Sequence, residues 1–161
     1  MSRMIGQTLA AGVIATLSMD VLSAMAYGLG FTAPLPPSLV GRWFAAVARA
    51  QPLHADIAAA PPVRHEIAIV FPVHYAIGMV LTALYVWTTY RLNLPSRHLL
   101  AALAFGLGTN VFPWLLMFPA MGYGWFGGQG PAGTRLFVSS LISHACFGLG
   151  LWLGVRLTLA P

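Results

Sequence analysis

Four apolar segments of this sequence each carry a side chain that could bind a proton, an ion or a small ligand. These side chains are Asp20, His74, Asn110 and His144. Carboxylate, imidazole and amide groups are costly in hydrocarbon, so within membrane helices they face other helices or a water-filled cavity. At a helical rise of about 1.5 Å per residue, all four fall roughly 10 to 17 Å below one membrane surface. They therefore predict a polar layer, which is the first candidate for a functional site.

Small residues share a helix face with the polar group in these segments. The two clearest stripes are Gly12, Thr16, Asp20 and Ser23, and His74, Gly78, Thr82 and Tyr85. Both follow the spacing i, i+4, i+8, i+11 of one helix face. Because small residues let helix backbones approach closely, each stripe predicts a packing surface that also carries a polar group.

One hypothesis for the layer is a metal or haem site. His74 and His144 could be the axial ligands of haem b, or could bind a divalent metal such as zinc or iron together with Asp20. Asn110 could then hydrogen-bond one of the ligands. No HExxH, CxxC or CxxCH spacing reinforces this hypothesis, and the single cysteine, Cys146, excludes an internal disulfide.

Three other interpretations stay open. The carboxylate and the two imidazoles could form a proton relay or the substrate site of a small transporter, for which a homo-oligomer would be expected. The chain could instead be a lipid-modifying enzyme, with loop arginines holding a phosphate or carboxylate and loop acids supplying protons. The loop groups that would form such a cap are Arg42, Asp56, Arg64 and Glu66. Finally, the polar layer could only fix the register of the helices through hydrogen bonds.

The composition identifies the elements that position these groups. Of the 161 residues, 58% are hydrophobic and 7% charged, against roughly 25% charged in soluble domains. Four apolar runs, at about 4–27, 67–90, 98–121 and 136–159, are long enough to cross a bilayer. We therefore predict an all-α integral membrane four-helix bundle that forms a single transmembrane domain over residues 1–161.

The first large loop predicts one short additional helix. Prolines precede it, Ser38 can cap it, and an apolar face follows to about Arg49. With Arg42 and Arg49 on another face, the segment 38–49 is typical of a helix lying in the membrane interface. The glycine-rich segment 122–131 of the second large loop reads as a flexible turn or a lid over the polar layer.

The charges predict the partners and the location. The sequence contains eight arginines and no lysine. The arginines are scattered near the segment ends, a distribution that favours contact with lipid headgroups over binding of nucleic acid. The arginines divide equally between the two membrane sides, and only the short loop 91–97 favours cytoplasmic termini. The expected partners are the lipid bilayer and either further copies of the chain or a larger membrane complex.

Four stretches carry a family resemblance: VGRW at 40–43, AAAPPVRHE at 58–66, HYAIG at 74–78 and SHACFGLG at 143–150. The sequence resembles a bacterial four-helix inner-membrane protein family of unknown function (domain of unknown function 2938) over nearly its whole length. The resemblance implies a bacterial inner-membrane location and four spans, but no activity, ligand or catalytic residue. The favoured hypothesis is therefore a multi-pass membrane protein that binds a small ligand or ion at its polar layer.

Overall fold

The computed structural model describes residues 2–159, and over this range the chain is all-α with no strand. The helices are α1 (Ser2–Gly28), α2 (Pro37–Ala48), α3 (Glu66–Arg91), α4 (Leu99–Gly108), α5 (Phe118–Ala120) and α6 (Thr134–Thr158), with a π-helical segment at Pro113–Met117 and a 3-10 turn at Trp125–Gly127. The predicted fold class is confirmed.

Within residues 2–159, four stretches are long and apolar enough to cross a membrane: Arg3–Gly28, Glu66–Arg91, Leu99–Ala120 and Thr134–Thr158. Their ends lie within two residues of the predicted ends. Large apolar side chains on them stay exposed, among them Val80, Leu100 and Leu116. Such side chains suit contact with acyl chains, as expected of a multi-pass membrane protein.

The third spanning stretch is interrupted near its middle. α4 ends at Gly108, and Pro113 begins the π-helical segment four residues after Thr109. Proline lacks an N–H group and its ring clashes with the carbonyl four residues earlier, so it disrupts the regular helix. This irregular backbone surrounds Asn110, one of the four predicted polar groups.

The additional helix in the first large loop is present and nearly where it was predicted. α2 runs from Pro37 to Ala48, with Pro36 at the N-cap position and no side-chain capping bond. The expected capping role of Ser38 is therefore wrong, because Pro37 occupies the first helical position, where proline's fixed φ angle is favourable. Its location at the membrane interface stays a prediction.

The described chain divides into two compact units. The first contains residues 2–25, 74–109 and 141–159, and the second contains residues 26–73 and 110–140. Each of the four spanning stretches contributes residues to both units, so the single transmembrane domain stays a prediction. Each unit has its own apolar core. The first is built around Ala11, Ala15, Tyr85, Ala102, Phe147, Leu151 and Val155, and the second around Ile57, Phe118, Met121, Tyr123 and Leu136.

Candidate functional site

In the first unit, α1 and α3 bring Asp20 and His74 together. His74 Nε2 lies 3.0 Å from Asp20 Oδ1. An ionised carboxylate only accepts hydrogen bonds, so the imidazole donates from Nε2. The neighbouring Tyr75 interacts with the same carboxylate. The side chains of His74 and Asp20 remain 31% and 35% exposed, so the pair is accessible to a further polar species.

The small residues of the two stripes explain this approach. A Cβ atom added to Gly12 would lie 2.7 Å from the Met79 Cα, and one added to Gly78 would collide with the Thr16 hydroxyl. Thr16 itself donates to the Gly12 carbonyl at 2.9 Å. The glycine face of each helix therefore lies at the contact that positions Asp20 against His74, on the side where the sequence stripes predicted it.

His144 makes a different contact within the first unit. Its Nδ1 lies 2.6 Å from the Thr109 hydroxyl oxygen. The Thr109 hydroxyl already donates its single proton to the Gly106 carbonyl at 2.5 Å, so the imidazole donates to Thr109. Gly106 also permits close packing of α4 on α6, because an added Cβ would lie 2.7 Å from the Gly148 Cα. The partner Thr109 was missed by sequence reasoning, although a hydroxyl residue in an apolar span is a usable signal.

The predicted metal ligands do not come together as a set. Among residues 2–159, no group of three or more His, Cys, Asp and Glu side chains is placed to hold a metal ion. Asp20 and His74 are in contact, whereas His144 is hydrogen-bonded to Thr109. The expected three-residue metal site of Asp20, His74 and His144 is not assembled.

Asn110 lies in the second unit and is fully buried. Ser140 Oγ donates to Asn110 Oδ1 at 2.6 Å, and Ser140 is only 9% exposed. This buried pair ties the irregular third spanning stretch to α6. The four predicted polar groups are thus divided between the units, with Asp20, His74 and His144 in the first and Asn110 in the second.

Arg42 and Glu66 of the predicted loop cap form an ion pair within the second unit. Arg42 Nε lies 2.6 Å from Glu66 Oε1, and each side chain is 11% exposed. Arg42 also donates to three loop carbonyls, those of Ile57, Ala58 and Ala60. Its donors are therefore engaged by the protein itself, which favours a role in fixing the loop over a role in gripping a ligand.

The other two cap residues, Asp56 and Arg64, are exposed. Asp56 Oδ1 accepts a hydrogen bond from the Ala58 N–H at 2.8 Å, and Asp56 lines a pocket of about 330 Å³ with Tyr123 and Gln129. Burial and the nearby Asp56 charge raise the pKa of the Tyr123 phenol above its ordinary value, with Arg42 acting in the opposite direction. Neither Tyr123 nor Gln129 was singled out by the sequence, because the segment read as a flexible turn.

A second pocket of about 350 Å³ lies in the same unit and is lined by Arg42, Arg49 and His54 among others. Arg49 is exposed. Among the described residues that line this pocket, Arg42 is paired with Glu66, whereas Arg49 forms no salt bridge. Arg49 is also the C-cap residue of α2. The C-terminal end of a helix carries the negative end of the helix dipole, which disfavours an anion bound beside it.

Comparison with known proteins agrees with the resemblance noted from the sequence. A family model described as "Protein of unknown function (DUF2938)" matches residues 9–158, which is nearly the whole chain. No curated protein and no solved structure matches the chain. The family supplies no activity, so the functional argument depends on the geometry of the polar groups.

Proposed function

We propose that this chain, which belongs to the family described as Protein of unknown function (DUF2938), binds a proton or a small cation at Asp20 and His74. The observation that carries this proposal is the 3.0 Å contact between His74 Nε2 and Asp20 Oδ1 on two helices of spanning length, with both side chains about one-third exposed. An aspartate is among the costliest residues to retain in such a helix.

The exposure of the pair separates ligand binding from a purely structural role. Asn110 is fully buried and hydrogen-bonded to Ser140, which suffices to fix the register of two helices. Asp20 and His74 satisfy each other yet keep a third of their surface open. In a bilayer that surface meets either acyl chains, which is unfavourable, or a polar species. We infer that water, protons or a small cation occupy it.

The chemistry of the pair selects the ligand class. A carboxylate and an imidazole can each accept a proton, and the negative charge of a carboxylate favours a cation over an anion. Tyr75 adds an oxygen beside the same carboxylate. A proton or a small monovalent cation is therefore the ligand that these three groups suit best.

Infrared difference spectroscopy tests proton binding, because it detects the carboxyl band of a protonated acid. The chain has only three acidic side chains, so their bands can be assigned with single variants. Purified protein in detergent is titrated between pH 4 and pH 9, as wild type and as Asp20→Asn, His74→Gln and Asp56→Asn. We expect one protonated-carboxyl band to be lost in Asp20→Asn, shifted in His74→Gln and unchanged in Asp56→Asn. The last variant is the matched control, with the same chemical change in a loop.

Thermal unfolding tests small cations. At constant ionic strength, N-methylglucamine chloride is replaced by sodium or potassium chloride, and a cation that binds only the folded protein raises the midpoint. We expect a rise in wild type and Asp56→Asn but not in Asp20→Asn if a metal cation is the ligand. The proposal is refuted if neither method separates Asp20→Asn from wild type.

We further propose that the protein resides in the bacterial inner membrane with cytoplasmic termini. The arginines are divided equally between the two membrane sides, so their number does not decide the orientation. The orientation is inferred from the short loop between α3 and α4, whose Arg97 lies close to the helix ends. A cytoplasmic reporter should be active when fused to the C-terminus, and a periplasmic reporter when inserted in the loop 122–133. The reverse pattern would invert the topology.

Association with further copies or with a larger membrane complex is the remaining expectation. A second copy covering the partly exposed Asp20 and His74 would shield these groups from lipid. Light scattering of the detergent-solubilised protein measures the number of copies. If both wild type and Asp20→Asn are monomers, a second copy does not cover Asp20 and His74. Water or a ligand would then be the polar species that contacts the pair.

A further inference from the structure

Arginines without acidic partners lie together at one end of the first unit. Arg91 ends α3, Arg97 lies in the loop just before α4, and Arg156 lies in the last turn of α6. The sequence supplies this unit with a single acidic residue, Asp20, and that carboxylate is in contact with His74. Among residues 2–159, none of the three arginines forms a salt bridge. This end of the unit therefore carries an unbalanced positive charge, which favours an anion.

The Arg97 side chain reaches across to the end of α6. Its Nη2 donates to the Arg156 carbonyl at 2.8 Å, whereas its Nε is buried and has no partner in the part of the chain that the structure describes. The residue as a whole is only partly buried, so a ligand can still reach the guanidinium. A guanidinium has five N–H groups and keeps its charge. Arg97 is therefore a fixed cation with unused hydrogen-bond donors.

Trp152 positions the second guanidinium. The Arg156 Cζ lies 5.1 Å from the centre of the Trp152 ring, one turn earlier on α6, and at this distance a cation is attracted to an indole ring. The contact engages the face of the guanidinium, so its N–H groups remain free to donate. Arg156 is also exposed. Because Arg97 is bonded to the Arg156 backbone, one phosphate group can accept hydrogen bonds from both side chains.

Hydrogen bonds hold the loop that carries Arg97 in place before any ligand binds. The Tyr85 hydroxyl donates to the Ser96 carbonyl at 2.7 Å, and Tyr85 itself is only 2% exposed. The Leu94 N–H donates to the Thr89 carbonyl at 2.8 Å. Both bonds join the loop to the last turns of α3. A binding group that is fixed in this way loses little conformational entropy when a ligand binds.

Exposed leucines beside the two arginines favour a lipid over a free anion. Leu157 directly follows Arg156 and is 68% exposed, and Leu100 lies three residues after Arg97 and is 76% exposed. Both belong to stretches of spanning length, so in a bilayer these side chains meet acyl chains next to the headgroup layer. A phospholipid offers a phosphate and acyl chains together, whereas a free phosphate ion offers only the charge. A net negative lipid is favoured over a zwitterionic one, because a headgroup ammonium would be repelled by the two guanidiniums.

We propose that Arg97 and Arg156 bind the phosphate group of an anionic phospholipid such as phosphatidylglycerol. The two guanidiniums donate to the phosphate oxygens, Trp152 positions Arg156, and the neighbouring leucines contact the acyl chains. Arginine donates to phosphate through parallel hydrogen bonds of defined geometry, which general attraction to a charged bilayer surface does not require. The site shares no residue with the proposed site at Asp20 and His74, so each can be tested without the other.

Native mass spectrometry of the full-length protein in a nonionic detergent tests the proposal, because it resolves the first bound lipid and measures its affinity. The probes are phosphatidylglycerol, phosphatidylcholine with the same acyl chains, and inorganic phosphate. We expect the first phosphatidylglycerol to bind about fivefold or more tightly than the first phosphatidylcholine, since the choline charge opposes the arginines. Inorganic phosphate should not displace the lipid, because it makes no contact with the leucines.

Single variants separate a specific site from general attraction between an anionic lipid and a basic surface. Arg97→Gln and Arg156→Gln should each weaken phosphatidylglycerol binding about tenfold or more, because each removes charge-assisted hydrogen bonds to the phosphate. Arg91→Gln is the matched control. Arg91 also ends a spanning helix, and its Cζ lies 5.6 Å from the centre of the Trp87 ring, but it is not assigned to the site. This variant should bind the lipid nearly as wild type does.

The same measurements can overturn the proposal. It fails if phosphatidylcholine binds as tightly as phosphatidylglycerol, if Arg91→Gln weakens binding as much as Arg97→Gln, or if Arg97→Gln and Arg156→Gln both retain wild-type affinity. Displacement of the lipid by inorganic phosphate would overturn the assignment to a lipid. Arg156→Gln keeps the carbonyl that accepts from Arg97, so it remains a valid test if Arg97→Gln does not fold. The ³¹P resonance of phosphatidylglycerol should shift with wild type and Arg91→Gln but not with Arg156→Gln.

Discussion

Arg42 and Glu66 pair side by side, with Arg42 Nε 2.6 Å from Glu66 Oε1 and Nη2 3.4 Å from Oε2. Glu66 is the first residue of α3, and Arg42 lies in the middle of α2. Gly41 makes this geometry accessible, because a Cβ atom there would collide with the Glu66 carbonyl. The pair therefore fixes the position of α2 against the start of the second spanning stretch, in addition to neutralising a buried arginine.

Glu66→Gln should destabilise the protein by about 1–3 kcal/mol, because it leaves the Arg42 guanidinium without its counter-charge. Reversible unfolding in mixed micelles measures the change in the free energy of unfolding. Arg49→Gln, at an exposed arginine near the end of the same helix, is the control and should change it by less than about 0.5 kcal/mol. Equal stability of Glu66→Gln and wild type would contradict a structural role for the pair.

Gly106→Ala should destabilise the protein by roughly 1–3 kcal/mol through overpacking. The new Cβ would lie 2.7 Å from both the Gly148 Cα and the His144 carbonyl oxygen, so α4 and α6 would have to separate. The Thr109 to His144 hydrogen bond should lengthen as a result, and the His144 ring nitrogens should show changed ¹⁵N resonances.

Gly6→Ala is the matched control for this substitution. A Cβ at Gly6 meets nothing within 4 Å, and alanine favours a helix interior over glycine by up to about 1 kcal/mol. The control should therefore be neutral or stabilising. A Gly106→Ala variant as stable as Gly6→Ala would show that the helices adjust without loss.

Ser140→Ala should weaken the second unit modestly. It removes the hydroxyl that donates to Asn110 Oδ1 at 2.6 Å, and hydrogen bonds between membrane helices average about 0.6 kcal/mol with a maximum near 1.7 kcal/mol. A double-mutant cycle of Ser140→Ala with Asn110→Ala measures the coupling energy directly. A coupling energy of zero would mean that the two side chains do not stabilise each other.

The spanning stretches and the shared depth of Asp20 and His74 could be predicted from the sequence because both depend on regular helical periodicity. Hydrophobic length sets each span, and the equal depths of Asp20 and His74 place them at the same level on neighbouring helices. The stripes containing Gly12 and Gly78 correctly predicted, for the same reason, which faces of α1 and α3 contact each other.

Other parts of the candidate sites could not be predicted because they depend on irregular backbone. Pro113 interrupts the third spanning stretch, so the helical face that carries Asn110 cannot be extrapolated along it. The pocket at Asp56 and Tyr123 depends on hydrogen bonds between two loops, such as that from the His54 N–H to the Ala120 carbonyl. Loop pairings of this kind leave no periodic pattern in a sequence.

Tyr123→Phe should make the protein more resistant to alkaline unfolding. Burial raises the pKa of Tyr123 in the folded protein above the ordinary value of 10.0, so the folded state holds a proton that the unfolded chain releases near pH 10. Stability from this proton is therefore present below pH 10 and is lost as the pH rises further. The chain contains no lysine and arginine stays charged, so the other side chains that titrate in this alkaline range are the four remaining tyrosines and Cys146.

Unfolding of wild type and Tyr123→Phe is compared at pH 8 and at about pH 11. At pH 8 the variant should be as stable as wild type or more stable by about 1 kcal/mol, since the hydroxyl it removes is buried and unpaired within residues 2–159. At the higher pH its advantage should widen, whereas Tyr90→Phe, at an exposed tyrosine, should follow wild type. A variant that is less stable than wild type at pH 8 would mean that the Tyr123 hydroxyl has a protein partner.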